Sequence, residues 1–478
     1  DCSGIEAELG RSLGILETRA ADVPERHRSI AAAFDYSWGL LNDLERTSLA
    51  RLAVFRGGFD PADADAVARC GMATIQSLVD KSLLRRERSG RLAFHGLLRQ
   101  LAEQRQDAIL EEGMQGIRLS HARHFGAFLA GTNPCFHDHR LAEALDRTAE
   151  RLENLRLGWS TTLEHGDLAL AEVYAVGLTT YYQMRSLSSE AVDLLESGLV
   201  KLDAMSATGT AQPSRSWIGL RVMMLERLGV FRTVRSEYEA ARDCFGSALD
   251  LAEASGSVQL RIRCLSGLGN LSQRIGDASE AAALYDSALS LARESDDLRA
   301  MAALLCNRAS VQRDLNDPDG SEAMYAEALE KARRLGDGYV EAGVLNNLGS
   351  LAQARGNNEL ARSYAERGLE LRRRIGDRLG ISTSLTWLAR IVASTDVGEA
   401  VRLLEESIDL AVELRDDYRR ANALLVLSDV LLGHGETEQA RLRLGEATAI
   451  AGRLGNPKLL KMCRDSALAL DGDSRSQA

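Results

Sequence analysis

Several absences bound this 478-residue chain before any motif is considered. It has only six prolines, and aromatic residues make up 5% of it. That excludes proline-rich and collagen-like chains and suits a mostly helical protein. No apolar run approaches the roughly 20 residues a membrane-spanning helix needs. No signal peptide is visible, and a cytoplasmic location is expected. No Gly-Lys dipeptide occurs anywhere, so the P-loop that cradles nucleotide phosphates is missing. A nucleophile elbow, HExxH and the zinc-deaminase motif are missing too, and an enzyme is not expected. The seven cysteines form no CxxC pair, which fits a reducing compartment and small buried thiols. The formal net charge of −11 leaves no overall electrostatic footprint for DNA or RNA. The chain opens on Asp1 rather than Met, so a piece of a longer protein is expected.

What is present is a repeat. Leu225, Leu265, Leu305, Leu345, Leu385 and Leu424 recur at a spacing of about 40 residues. Three residues later come Leu228, Leu268, Arg308, Leu348, Leu388 and Leu427. Beside these sit the small residues Gly229, Gly269, Ala309, Gly349, Ala389 and Ser428. Further on come Ala241, Ala281, Ser321, Ala361, Ala400 and Ala440. Four residues beyond these are Phe245, Tyr285, Tyr325, Ala365, Leu404 and Leu444. Three more bring Ala248, Ala288, Ala328, Gly368, Ser407 and Ala447. Offsets of three and four place these residues on one face of a helix, so each unit predicts a pair of packed helices. Gly276, Asn316, Gly356 and Gly435 are the expected inter-helix turns. Gly256, Asp296, Gly336, Gly376, Asp416 and Gly455 are expected to close the units in the left-handed conformation. A weaker seventh unit holds Leu178, Ala191, Leu195 and Gly198, ahead of an insertion near residues 206–213.

This pattern resembles the tetratricopeptide repeat family over about residues 166–463. The period is longer than the family's common 34 residues, and the terminal proline is absent, with Pro318 in an inter-helix turn instead. The resemblance implies a right-handed α-solenoid whose first helices line a concave groove. By register the groove candidates are Arg263, Asn270, Gln273, Arg313, Asn346, Gln353, Arg390 and Asn422, polar residues suited to holding a peptide backbone. Taken singly, each of them reads first as a solvated polar position; the groove as a whole reads as a binding surface.

Upstream the reading changes. Residues 29–41 form an amphipathic pattern with Ala33, Tyr36, Trp38 and Leu41 among the expected contacts. Residues 44–55 predict a second helix, and Gly57-Gly58 a turn. Asp60 and Pro61 open a third helix and residues 75–83 form a fourth. Residues 84–86 and 91–94 flank Ser89-Gly90 as a hairpin, and residues 95–106 begin another helix. Helices followed by a two-stranded ribbon suggest a winged-helix domain over 28–112.

The strings Arg26-His27-Arg28-Ser29-Ile30, Leu52-Ala53-Val54-Phe55-Arg56-Gly57-Gly58-Phe59, Leu78-Val79-Asp80-Lys81-Ser82-Leu83-Leu84 and Phe94-His95-Gly96-Leu97-Leu98-Arg99 resemble the winged-helix region of STAND-class signalling ATPases. The likeness is to bacterial LuxR-, AfsR- or MalT-like regulators. It implies that His95 reaches the phosphate of bound ADP and holds a closed state. Phe94 and Gly96 replace the family's flanking Met and Asp. ADP or ATP is implied for a full-length protein only, bound by an NTPase domain in cis outside this chain.

Residues 1–27 would then be the tail of a preceding helical subdomain and 113–165 a helical connector. Residues 166–465 would be the repeat superhelix and 466–478 a flexible tail. In the connector, His121 and His124 can share a helix face. Cys135, His137 and His139 form a C-x-H-x-H string that lacks a second half at zinc spacing, so no metal site is expected. The expected function is the regulatory portion of a STAND-type protein, whose groove binds a protein, peptide or small inducer. A constitutive repeat adaptor is one alternative. A DNA-binding regulator using Arg85, Arg86, Arg88 and Arg91 of the wing is another, disfavoured by the acidic balance.

Overall fold

The computed structural model describes residues 30–87, 90–94, 96–106, 113–137, 140–207, 214–454 and 456–476. The chain divides into two compact units, Asp1–Gly131 with Asp146–Tyr174, and Thr132–Leu145 with Ala175–Ala478.

In the first unit, helix α1 (Ile30–Gly39) buries Phe34 and Trp38, and Leu41 follows them into the core. These positions recur at helical spacing. Tyr36, expected among the contacts, is 54% exposed, because two residues from Phe34 is the opposite side of a helix. Helix α2 (Asp43–Leu52) opens with a reciprocal cap. The Glu45 N–H donates to Asn42 Oδ1 at 2.9 Å, and the Asn42 N–H donates to Glu45 Oε2 at 2.9 Å. Helix α3 (Pro61–Ala68) starts behind Asp60 with proline in the first turn, as expected. Helix α4 (Met72–Asp80) begins earlier than the apolar pattern suggested.

Strands β1 (Arg85–Arg86) and β2 (Leu92–Ala93) pair antiparallel, with Arg85 opposite Ala93 and Arg86 opposite Leu92. Phe59 adds a bridge to Leu92 through backbone bonds of 2.9 and 2.8 Å, so the ribbon has a third member from the turn before α3. Helix α5 (Gly96–Gln104) follows. Among the described residues this part of the first unit thus runs as four helices, a short ribbon and a fifth helix. Helices α6 (Gly113–Thr132) and α7 (Leu141–His165) flank a short 3-10 turn, Asn133–His137. Cys135 and His137 lie in that turn, and His139 lies outside the described residues.

The repeats are helical hairpins. The first contains α8 (Leu168–Met184) and α9 (Ser188–Ala207), the second α10 (Arg215–Val234) and α11 (Tyr238–Ala254). Next come α12 (Val258–Ile275) with α13 (Ala278–Glu294), and α14 (Leu298–Asp314) with α15 (Pro318–Leu335). Then follow α16 (Gly338–Ala354) with α17 (Asn358–Ile375), and α18 (Arg378–Val392) with α19 (Val397–Glu413). The last pair is α20 (Asp417–Gly433) with α21 (Thr437–Leu454), and α22 (Pro457–Ser476) closes the stack, with Leu470 buried near its end.

The small residues of the first helices are small for a reason of packing. A Cβ on Gly229 would lie 2.8 Å from the Phe245 ring, and one on Gly269 would lie 2.7 Å from Tyr285. The aromatic residue of the second helix therefore presses on the backbone of the first, as close helix packing requires.

The turns are equally regular. Left-handed Gly276, Asp296, Asn316, Gly336, Gly356 and Gly376 are each followed by a cap. Those caps are Asp277, Asp297, Asp317, Asp337, Asn357 and Asp377, whose side chains each accept from the N–H three residues on. Asp416 departs from expectation. It too is a cap, accepting from the Arg419 N–H at 2.9 Å, and the left-handed residue is Arg415 with φ 52°. Ser186 and Ser236 take the same conformation without any glycine signal. Gly455 and most of the expected insertion, residues 208–213, lie outside the described residues. Much of the acidic charge is spent on these caps and on ion pairs between neighbouring repeats, such as Arg362–Glu399 at 2.9 Å and Arg373–Glu406 at 2.7 Å.

Candidate functional site

Two places gather side chains in ways that packing alone does not need. In the first unit, helix α7 clasps the turn between α2 and α3. Asn154 is fully buried. Its Oδ1 accepts from the Arg56 N–H at 2.8 Å, and its Nδ2 donates to the Gly58 carbonyl at 3.1 Å. His121 Nε2 from α6 lies 3.1 Å from the same Oδ1. Gly57, between the two held residues, has φ 72°, a conformation that favours glycine. Arg91 from the ribbon bonds the Gly58 and Glu150 carbonyls, and Arg151 of α7 pairs with Asp60. The wing arginine Arg91 is thus turned inward. Arg85 lies 3.5 Å from Glu87, and Arg88 lies outside the described residues.

The two connector histidines have separate roles. His121 is buried between Phe55 and Phe125, and burial pulls its pKa down to about 4, so it is neutral at pH 7. His124 Nε2 meets Asp63 Oδ1 at 2.7 Å. Burial works against the Asp63 charge, but the bonds from His124 and the Asp60 N–H, with Arg151 nearby, hold its carboxyl below the usual range. Among the described residues no three His, Cys, Asp or Glu side chains gather as a metal site. His95, the expected nucleotide sensor, lies outside the described residues.

The second place is on the repeats. First helices of neighbouring hairpins pack on each other, α10 on α12, α12 on α14, α14 on α16, α18 on α20 and α20 on α22. That puts the first helices on the inner side of the stack. A recess of about 780 Å³ opens there across α16, α18 and α20. Ser350, Gln353, Trp387, Arg390, Asp429 and His434 supply its polar and aromatic lining, and Val397, Val426 and Val430 its apolar part.

Of the groove candidates, the recess brings together Gln353 and Arg390, both exposed. Five of the others are tied to neighbours. Arg263 pairs with Glu226. Asn270 accepts from the Tyr285 hydroxyl at 2.6 Å and from Asn307 at 3.3 Å. Gln273 donates to Asp314 at 3.1 Å, and Arg313 lies 3.4 Å from the same residue. Asn346 donates to Ser384 at 3.3 Å. Asn422 is half-buried on α20 and does not line the recess.

Trp387, Asp429 and His434 were missed in the sequence. Trp387 stands one turn before Arg390 on the same helix, and that spacing was the available signal. Asp429 accepts from Ser466 at 2.9 Å. Asp429 is exposed, and partial desolvation pushes its carboxyl up against the opposite pull of Ser466 and Arg390. An unpaired cationic group on a ligand would relieve that penalty.

A tetratricopeptide repeat family model matches residues 220–294, 300–374 and 340–410. A model of anaphase-promoting complex subunit 5 matches residues 389–474. Among curated proteins, the chain is 28% identical over 155 residues to a protein named "Putative HTH-type transcriptional regulator" from Mycobacterium tuberculosis strain H37Rv. That match covers 31% of this chain and 17% of the relative, so the chain spans about a sixth of the relative's length.

Among solved structures, the chain is similar to a signal transduction ATPase with numerous domains (STAND) that carries a tetratricopeptide repeat sensor, from Pyrococcus horikoshii. The TM-score is 0.55 at 15% identity, covering 95% of this chain and 63% of that one. The Rap conjugation gene regulator of plasmid pLS20, in complex with the Phr* peptide, aligns with a TM-score of 0.48 at 14% identity. It covers 70% of this chain and 96% of its own. The hairpins of the second unit, with every expected anchor but Leu265 and Arg308 buried and the family model matched over most of 220–410, form an α-solenoid of tetratricopeptide-like repeats.

Proposed function

We propose that this chain is the sensing portion of a STAND-type signalling protein, with the repeat groove as receptor for a peptide segment or small inducer. The observation that carries the reading is the recess across α16, α18 and α20. There an exposed arginine, a carboxylate and a tryptophan line one recess. A binding site of this kind needs an apolar anchor and a few oriented polar groups, and Trp387, Arg390 and Asp429 supply them. The fold shared with a repeat-bearing STAND protein over 95% of the chain supports the class.

Signal transfer in this reading runs through α7. Its Asn154, Glu150 and Arg151 hold the Gly57-Gly58 turn, the ribbon and Asp60 together, so a movement of α7 reaches all three. The ribbon and its helices act as a winged-helix switch rather than as a DNA reader. The sequence has no P-loop, so nucleotide would sit in another domain, and His95 would be this chain's contribution to holding it.

Peptide display against the purified chain tests the receptor role. Selected peptides should quench Trp387 fluorescence and bind at least about 10-fold more weakly to Arg390→Ala, the loss of one charge-assisted contact. Peptides that bind equally to the wild type and to the double variant Trp387→Ala, Arg390→Ala would overturn it.

A further inference from the structure

A second cleft in the repeat unit is separate from the groove recess. It measures about 560 Å³, within the roughly 300–1,000 Å³ typical of small-molecule sites. One wall comes from the first three hairpins, near the turns after α8 and α10 and the end of α12. The other comes from Tyr418, Leu454 and Asn456, more than 140 residues further along the chain. Val230 and Val234, one turn apart on α10, are 37% and 43% exposed and face this space with Tyr418 and Leu454. Two large apolar side chains left open to solvent inside a cleft are an unfilled contact surface.

The charges in the cleft divide into spent and unspent. Arg235 donates to Glu237 at 2.6 Å and to Ser189 at 2.5 Å, so that pair is closed on itself. Glu190 and Arg274 line the same cleft and have no hydrogen bond or ion pair with any described residue. Opposite charges within 4 Å would have formed an ion pair. These two stay apart, one anion and one cation beside an apolar strip, with the total charge of the lining balanced. A net anion would meet Glu190 and a net cation would meet Arg274. A neutral dipolar molecule satisfies both.

We infer that this cleft binds a small zwitterion with an apolar body, an amino acid or short unmodified peptide. Its carboxylate would face Arg274, its ammonium Glu190, and its side chains Val230 and Val234. Because the walls belong to the first three hairpins and to the last, the occupant braces two distant parts of the solenoid. The groove recess uses α20 as well, so occupancy of the cleft bears on the receptor site through that shared helix.

The test is calorimetric titration of the purified chain with three pools: free Val, Leu, Ile and Phe; apolar tetrapeptides with free ends; and the same tetrapeptides N-acetylated and C-amidated. Binding is expected from one of the free-ended pools, which identifies the source. The capped pool should bind at least 10-fold more weakly. Arg274→Glu and Glu190→Arg, both on accessible side chains, should each abolish the heat while leaving circular dichroism unchanged. Equal binding of capped and free-ended peptides, binding by neither free-ended pool, or heat kept in Arg274→Glu or in Glu190→Arg would each overturn the assignment.

Discussion

Asn154 holds the backbone on both sides of Gly57, accepting from the Arg56 N–H at 2.8 Å and donating to the Gly58 carbonyl at 3.1 Å. One buried amide thus fixes a turn that lies 98 residues earlier in the chain. Its oxygen also meets His121, so removing the side chain orphans three polar groups at once.

Asn154→Ala should therefore destabilise the protein by about 3 kcal/mol, since each buried group left unpaired costs about 1–3 kcal/mol and the three share one site. Urea unfolding followed by circular dichroism measures this. A loss below about 1 kcal/mol would show that water or relaxation replaces the clasp.

Two glycine substitutions separate packing from propensity in the repeats. Gly269→Ala drives a methyl against the Tyr285 ring and should cost about 2 kcal/mol. Gly343→Ala meets nothing within 4 Å on an equally regular helix and should be neutral or gain up to about 1 kcal/mol. Thermal melts of both variants decide the matter, and equal shifts would refute the packing account.

His121 gives the first unit a pH dependence of defined sign. In the native state burial pulls its pKa from 6.5 to about 4, so the folded protein refuses a proton that the unfolded chain accepts. Stability should fall as pH drops from about 6.5 to about 4 and show no further His121 contribution below that. His121→Gln should flatten this segment of the profile. An unchanged slope in urea midpoints across the window would remove His121 as the cause.

In a protein that joins this chain to an ATPase domain, His95→Ala should release ADP faster and raise signalling output. Retained nucleotide, counted after gel filtration, and output at the wild-type level would together count against the switch.

The repeats were legible because their anchors are set by local rules. Ala281, Tyr285 and Ala288 sit at helical spacing and must all be buried, so one face is enough to place them. Arg415 was not legible, because nothing in an arginine signals a left-handed turn. The neighbouring Asp416 drew the assignment, since aspartate tolerates that conformation, while its side chain was needed for the cap. Tyr36 was misplaced by one-sided counting along a helix that buries Phe34 and Trp38. In the groove, Gln353 and Arg390 could be named from register. Asp429 could not, because its environment comes from α18 and from Ser466 on α22. The Asn154 clasp is wholly tertiary, and no periodicity carries it.

The joints between helices give the array a countable length. At Asp296-Asp297 and again at Gly336-Asp337, one left-handed residue meets one capping aspartate. Cutting the chain between the members of both pairs and rejoining Asp296 to Asp337 would rebuild the same joint with one hairpin fewer. Lineages carrying this architecture can therefore change the reach of the receptor surface in whole steps, by duplication or loss of a single forty-residue block, while each remaining turn keeps its local chemistry.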